Sequence, residues 1–340
     1  MASPTVSVLL PVYNAVATLE EALDSLAAQT FRDYEIVAVD DGSDDGSSAL
    51  LEARRRREPR LRVLRQPHRG VTAALSRGLE ACRAPLVARM DADDVAHPER
   101  LAQQIAFLQA HPEVAVLGTR VRLHPRGLCG GGMQAYLDWQ NRLLTDADIR
   151  REIFVESPLV HPSVMFRRQA VLAAGGYRPT VWLEDYDLWL RLYLAGARFA
   201  KLPAVLLDWR DHPRRVTRSD SRASLENLLR LKAHYLVRGP LQGRDAVIVW
   251  GAGMAGRRLS KHLLREGAPL TAFVDIDPRK IGRTRRGKPI HAAEMLPRLW
   301  ARHRHPAVVV AVGARHAKAL IRPRLTAWGL VEGRDWWFAA

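Results

Sequence analysis

Asp91-Ala92-Asp93 sets two carboxylates two residues apart. In an extended chain alternate side chains share a side, so both acids face the same way. Two hard oxygen ligands so placed suit Mg2+ or Mn2+, with phosphate oxygens and water completing an octahedron. Taken singly, an acidic triplet is more often a solvated turn. This one closes the apolar run Leu86-Val-Ala-Arg-Met90, and two further polar clusters, Pro11–Asn14 and Asp40–Ser43, close apolar runs of their own. A second chemical pattern lies late in the chain. Gly251-x-Gly253-x-x-Gly256 follows Ala246-Val-Ile-Val-Trp250, and Asp275 comes 19 residues after Gly256. Glycines there admit a phosphate to a helix N-terminus, and an acid at the next strand end can meet a ribose hydroxyl.

The elements that must position these groups alternate. Val6–Leu10, Tyr34–Val39, Leu61–Leu64 and Leu86–Met90 read as strands. Between them lie helix patterns: one capped at Thr18, one from Ser43 to Arg57 and one over Val71–Ala81. Apolar strands alternating with helices predict an α/β fold with a parallel sheet covered on both faces. Ligands of such sheets sit at the carboxyl ends of strands, where the three polar clusters fall. The middle is less regular: a glycine-rich loop over Gly127–Gly132, a helix near Gln134–Leu144, an extended Pro158–Phe166 and a helix over Glu184–Leu194. A second α/β unit follows, with strands at Ala246–Trp250, Leu270–Val274 and Ala307–Val312 and a helix over Arg257–Arg265. The turn-rich stretch Arg238–Gly243 marks the boundary, giving domains 1–237 and 244–340 joined by a linker at 238–243.

Composition bounds the remaining choices. A length of 340 residues fits two domains of roughly 150. Hydrophobic residues at 47% and charged residues at 26% exclude a disordered or collagenous chain. No apolar run reaches the roughly 18–20 residues of a membrane span, and the N-terminus lacks a signal-peptide pattern. Two cysteines, Cys82 and Cys129, are too few for a disulfide framework or a zinc cage. The expectation is a soluble, cytoplasmic protein. The net charge of +16 is almost all arginine, and the runs Arg54–Arg57 and Arg283–Arg286 hold no aromatic, which argues against nucleic acid as a partner. Most of this charge reads as solvated surface, with attraction to anionic lipid or phosphate as the second reading.

Several motifs in order carry a resemblance. Val6-Ser-Val-Leu-Leu-Pro-Val-Tyr-Asn14, Gln29-Thr-Phe-Arg-Asp-Tyr-Glu-Ile-Val37, Asp40-Asp-Gly-Ser43, Gly70-Val-Thr-Ala-Ala-Leu-Ser-Arg-Gly78, Met90-Asp-Ala-Asp-Asp94, Pro98-Glu-Arg-Leu101 and Trp182-Leu-Glu-Asp-Tyr-Asp-Leu-Trp-Leu-Arg191 resemble family 2 glycosyltransferases of the GT-A fold. The likeness covers about residues 4–220. It implies a nucleotide-diphospho-sugar transferase that works with inversion and needs Mn2+ or Mg2+. Tyr13 would lie against the nucleotide base, with Pro11 and Val12 lining the pocket and Asp41 bonding the base. Asp91 would face the ribose or a metal-bound water, and Asp93 would bind the metal. The family takes its base from the Glu184-Asp185 pair. Asp185 is the expected base and Glu184 orients the acceptor, although two acids opening a helix also suit its dipole. Asp187 lies about two-thirds of a turn further on and faces elsewhere.

In Trp209-Arg210-Asp211-His212, the resemblance offers His212 as a further metal ligand and Arg210 to phosphate. His161 stands for either an acceptor contact or packing. The implied donor is UDP-linked, with dTDP and GDP open. The implied acceptor is a glycan or a lipid-linked hydroxyl, with peripheral contact at the inner face of an anionic membrane; the oligomeric state is open. Residues 245–338 are similar to small Rossmann-like domains appended to sugar-modifying enzymes. That implies a nucleotide or NAD(P) on Gly251, Gly253, Gly256 and Asp275. From Gly243 onward there is no tyrosine and no cysteine, so the usual Tyr–Lys hydride-transfer pair is missing. The alternative is a bifunctional protein whose second domain performs redox or epimerase chemistry.

Overall fold

The computed structural model describes residues 3–124, 131–211, 220–314 and 316–340. The chain divides into two compact units, residues 1–149 with 158–219, and residues 150–157 with 220–340. Cys129, His212 and most of the 127–132 loop lie outside the described residues.

The first unit runs β1 (Val6–Val12), α1 (Val16–Ala27), β2 (Tyr34–Asp40), α2 (Ser47–Arg55), β3 (Leu61–Arg65), α3 (Val71–Ala81), β4 (Leu86–Arg89) and β5 (Val95–Ala96). It continues with α4 (Arg100–Ala110), β6 (Val114–His124), α5 (Gly131–Arg142), α6 (Asp146–Glu152), β7 (Met165–Arg167), α7 (Arg168–Ala173), α8 (Glu184–Leu194) and β8 (Arg198–Arg210). The sheet order is β3-β2-β1-β4-β7-β6-β8-β5. β3, β2, β1 and β4 are parallel, as expected from their helical crossovers. The far half departs from the parallel expectation: β7 is antiparallel to both β4 and β6. Its chain comes from β6 by way of α5 and α6 and enters the sheet through a 3-10 turn at His161–Ser163.

Pro11 sits inside β1, where a proline would normally cost a ladder bond. Leu9 O accepts from Met90 N, so alternate residues of β1, Pro11 included, turn their backbone groups toward β4. The β4 register ends at Leu9↔Arg89, so the missing N–H falls where no strand remains to use it. The core beneath is apolar and closed, with Leu10, Leu19, Leu23, Ile36, Leu117 and Met165 all buried. Thr18 does not cap α1, whose N-cap is Ala15. The Thr18 hydroxyl instead donates to Ala92 O at 3.0 Å, tying α1 to the middle of the acidic triplet.

The second unit runs α9 (Leu225–Arg238), β9 (Ala246–Trp250), α10 (Met254–Arg265), β10 (Leu270–Asp275), β11 (Thr284–Arg285), β12 (Lys288–Ala292), α11 (Leu296–Trp300), β13 (Pro306–Val310), α12 (Ala317–Ala327) and β14 (Trp336–Phe338). Its sheet order is β11-β12-β10-β9-β13-β14, parallel from β12 to β14, with β11 a short antiparallel edge. Among the parallel strands the chain order is third, second, first, fourth, fifth, that of a doubly wound half. This compact unit takes in the chain from 220 onward, so residues 220–237, assigned to the first domain from sequence, lie in the second, with α9 among them. Lys261 of α10 pairs with Glu226 of α9 at 2.5 Å. Residues 150–157 also join it: the Glu152 carboxylate takes Lys318 at 2.8 Å and Arg322 at 3.0 Å, and Lys232 Nζ donates to Val155 O at 2.6 Å.

Candidate active site

Three strand ends of the first unit carry the polar clusters. At the end of β1, Pro11 and Val12 are buried in the strand and Tyr13 emerges 48% exposed. Its ring stacks on His68 at 4.0 Å and 21°. Asp41 N–H donates to Val12 O at 2.9 Å, which holds the ends of β1 and β2 together. The Asp41 carboxylate is buried and both oxygens are engaged by the 66–70 loop. Oδ1 accepts from Gln66 Nε2 at 2.6 Å and Arg69 N at 3.0 Å, and Oδ2 accepts from Gly70 N at 2.8 Å, with His68 Nδ1 at 2.9 Å. Gly42 makes this close approach possible: at φ +77°, an added Cβ would lie 2.7 Å from His68 N. His68 is the residue sequence reasoning missed here. Its signal is its place just before Gly70, one loop along from Asp41.

At the end of β4, Asp91, Asp93 and Asp94 each bring a carboxylate oxygen within 4.8 Å of the others. That spacing fits oxygen ligands around one divalent ion, each at roughly 2.0–2.6 Å from it. Asp94 is the deepest, and its Oδ1 accepts from Arg210 N at 2.8 Å. Arg210 Nε donates to Asp93 O at 2.7 Å and its guanidinium also pairs with Glu21. Arg210 therefore braces the triplet from β8. The triplet residues Asp91 and Asp93 stay half-buried and reachable.

Arg89, the last residue of β4, is buried, and its guanidinium pairs with Asp91. Its backbone carbonyl is held by the buried Arg100 at 2.7 Å. Burial pushes the Arg100 guanidinium down to about 9. The positive charge of Arg89 also reaches Asp185, Tyr177 and His161. One buried cation thus acts on both the acidic triplet and the start of α8. Sequence reasoning missed this role; an arginine inside the apolar run Leu86–Met90 is the signal that could have found it.

Asp185 stands half-buried in the first turn of α8, with Oδ1 accepting from Tyr186 N at 2.7 Å. Burial, then the charge of the buried Glu184 beside it, pushes its carboxyl up to about 7; the Tyr186 N–H and Arg89 pull the other way. That is well above the value of about 4 ordinary for an aspartate side chain. His161 Nε2 lies 2.8 Å from Tyr177 Oη, and the His161 ring meets the Trp189 ring edge-on at 5.8 Å. Burial first, then Arg89, depresses the imidazole well below its ordinary value. Among its two expected roles, these contacts are those of packing. Asp187 is turned away, pairing with Arg191 at 2.8 Å and accepting from Trp182 Nε1 at 2.9 Å.

These shifts carry a prediction. If Asp185 is the base that the resemblance implies, it must be ionised to act, and kcat/KM of a transferase reaction should fall as pH drops through about 7, the value to which its carboxyl is raised. Glu184→Gln removes the like charge that helps to raise it. The acid limb of the kcat/KM profile should then move to lower pH by about one unit, the size of a close charge–charge effect. An unmoved limb would place the titrating group elsewhere.

In the second unit, β9 leads through Gly251–Gly253 into α10 as the spacing predicts. Gly251 has φ +109°, and a Cβ on Gly256 would lie 1.7 Å from Gly251 O, so helix and turn pack with nothing between. Asp275 Oδ2 accepts from Ala252 N at 2.7 Å and Oδ1 from Asp277 N at 2.9 Å. Lys280 Nζ lies 3.4 Å from the same carboxylate. The acid expected at a ribose thus braces the glycine turn in this structure.

The profile of glycosyl transferase family 2 matches residues 7–173. A glycosyltransferase of amylovoran biosynthesis from Erwinia amylovora, AmsE, is 36% identical over 208 residues, which are 59% of this chain and 74% of that one. The chain belongs to glycosyl transferase family 2. An Escherichia coli family relative, UDP-Gal:alpha-D-GlcNAc-diphosphoundecaprenol beta-1,3-galactosyltransferase, is 28% identical over 211 residues, 61% of this chain and 74% of its own. Among solved structures, S. aureus TarS 1–349 in complex with UDP-GlcNAc superposes with a TM-score of 0.56 at 21% identity, covering 77% of this chain and 72% of that one. This likeness shows the fold, which is GT-A. The family 2 protein is a glycosyltransferase, and no helix among its described residues is long and apolar enough to cross a membrane.

Proposed function

We propose that this glycosyltransferase moves a hexosyl group, with inversion, from a UDP-linked donor to a hydroxyl of a glycan or lipid-linked acceptor of the cell envelope. The observation that carries the reading is the acidic triplet at the end of β4: Asp91, Asp93 and Asp94 bring carboxylate oxygens within 4.8 Å of one another, braced by Arg210 and paired through Asp91 with the buried Arg89. Tyr13 stacks the base, Pro11 and Val12 wall its pocket, and Asp41 with its loop meets the base edge. Asp91 and Asp93 would hold Mn2+ or Mg2+, with the buried Asp94 beside them, and His212 would be a further ligand. The ion, when bound, neutralises charge developing on the departing diphosphate. Asp185 accepts the acceptor's hydroxyl proton as that oxygen bonds to the anomeric carbon and the carbon–phosphate-oxygen bond breaks, and Glu184 orients the hydroxyl. A carboxylate of raised pKa takes that proton at neutral pH more readily than one near 4.

The names of the relatives support the donor and acceptor classes: one is a UDP-Gal transferase acting on a diphosphoundecaprenol-linked sugar, and TarS was solved with UDP-GlcNAc. A lipid-linked acceptor also favours peripheral contact with an anionic membrane. In the second unit, Gly251, Gly253, Gly256 and Asp275 offer a nucleotide or NAD(P) a phosphate cradle beside Lys280. With Asp275 engaged and no tyrosine from Gly243 onward to pair with a lysine, a binding role suits them better than hydride transfer.

A thermal-shift panel of UDP-, dTDP- and GDP-sugars, with and without Mn2+, tests the donor and the metal together. A ligand at about 100 times its Kd adds about 2.7 kcal/mol to the native state. UDP-sugars should raise the melting temperature by a few degrees with Mn2+ and much less with chelator. No shift from any nucleotide sugar, or one indifferent to chelator, overturns the reading. The anomeric configuration of the product then tests inversion.

A further inference from the structure

The charge of this chain is not spread evenly. Residues 220–340 carry 23 Lys+Arg against 9 Asp+Glu, a surplus of +14, whereas residues 1–219 carry 29 against 27, a surplus of +2. A codon preference for arginine over lysine acts on the whole chain and cannot confine the surplus to its last third. The fold gathers part of it on one face of the second unit. Helix α10 buries Leu259, Ser260, His262 and Leu263 and exposes Met254, Arg257, Arg258, Leu264 and Arg265. The β11–β12 hairpin folds back onto this helix: Arg286 donates to Arg257 O at 2.8 Å and to Ser260 Oγ at 3.2 Å. The charges of Arg285, Arg257 and Arg265 all bear on Arg286. Arg257 and Arg265 flank Lys261 at four-residue spacing, where like charges cost a helix roughly 0.2–0.5 kcal/mol per pair. Lys261 has Glu226, but Arg257, Arg258, Arg265, Arg283, Arg285 and Arg286 make no ion pair with an acid among the described residues. The fold therefore keeps a cluster of uncompensated cations that weakens it.

We infer that the exposed face of α10 and the β11–β12 hairpin is a docking surface for an anionic lipid bilayer. Cations interleaved with exposed apolar side chains are the pattern of an interfacial helix. On α10 the exposed apolar groups are Met254, 64% exposed, and Leu264, 36% exposed. Single-stranded nucleic acid would call for exposed aromatic rings to stack its bases, and the second unit exposes no Phe, Tyr or Trp among its described residues. This inference deepens the peripheral membrane contact proposed above and rests on that reading for its biological sense, not for its chemistry.

The test uses the full chain without donor or acceptor. It should co-sediment with vesicles of about 30 mol % phosphatidylglycerol in phosphatidylcholine at about 0.1 M salt, and release at about 0.5 M, where screening shortens the reach of charge. Each arginine near such a surface contributes roughly fivefold in affinity. The variant Arg257→Glu, Arg258→Glu, Arg265→Glu, Arg283→Glu should therefore bind at least about a hundredfold more weakly, and the Arg→Gln version of the same four should fall between. Both should melt as the parent does and transfer sugar at the parental rate to a detergent-dispersed acceptor, which separates failure here from failure of the transferase reading. Equal binding to pure phosphatidylcholine, full binding by a Glu variant that melts as the parent does, or binding to RNA but not to the anionic vesicles overturns the inference.

Discussion

Asp185→Asn is expected to lower kcat by about three orders of magnitude, within the usual range for loss of a positioned general base, while the Kd for the donor stays within about twofold. Asparagine keeps the shape and can still accept from Tyr186 N, so the α8 start should be undisturbed. The same change should stabilise the protein, and the sign can be worked out. The folded carboxyl titrates near 7 and the unfolded one near 3.8, so between these values the native state holds the proton that the unfolded state has lost. Stability then falls as pH rises from about 4 to 7. An asparagine in place of Asp185 carries no such proton and escapes that loss. The variant should therefore gain on the order of 1–2 kcal/mol at pH 8 and almost nothing at pH 4. Single-turnover rates, donor titration and melts at the two pH values check all three parts. A variant that turns over like the parent moves the base away from α8. Slow turnover without the pH-dependent gain would instead mean that Asp185 is ionised throughout.

Asp93→Ala should be the most damaging single change at the diphosphate, lowering kcat by about a thousandfold or more, because stabilising charge in the transition state is commonly the largest catalytic contribution. The backbone consequence is small, since Arg210 Nε is held by the Asp93 carbonyl, which alanine keeps. The variant should melt like the parent without Mn2+, and the extra stability that Mn2+ with donor confers on the parent should vanish. A chelator-sensitive donor shift that survives in Asp93→Ala would assign the ion to Asp91 and Asp94 alone. An unchanged kcat would remove the metal from the mechanism.

Much of this was legible in the residues. Val71–Ala81 and Glu184–Leu194 have the bounds their apolar spacing gives, and β1, β2 and β4 end at the polar clusters that close their apolar runs. The acidic triplet is legible from its place at a strand end, not from its composition. Other parts were hidden for physical reasons. β6 and β8 pair along ten positions with three shifts of register, which breaks the alternation that marks a strand in sequence. The antiparallel β7 has only three residues, too few for any period. The pull of Glu184 and burial on Asp185 depends on what packs around α8, which no local pattern records. The close of α9 is deceptive because its Arg238-Gly-Pro end looks like a linker, while its apolar face belongs to the second unit.

The stack of Tyr13 on His68 has a consequence for how such an enzyme chooses among donors. The protein already rests one flat ring on Tyr13, so under the proposed reading, with the base stacked on Tyr13, an arriving base exchanges with an imidazole instead of covering bare surface. Ring-on-ring attraction is similar on both sides of that exchange and largely cancels. What remains to tell uracil from guanine is the rim of the heterocycle, and how well its donors and acceptors replace the four partners that Asp41 gives up or keeps.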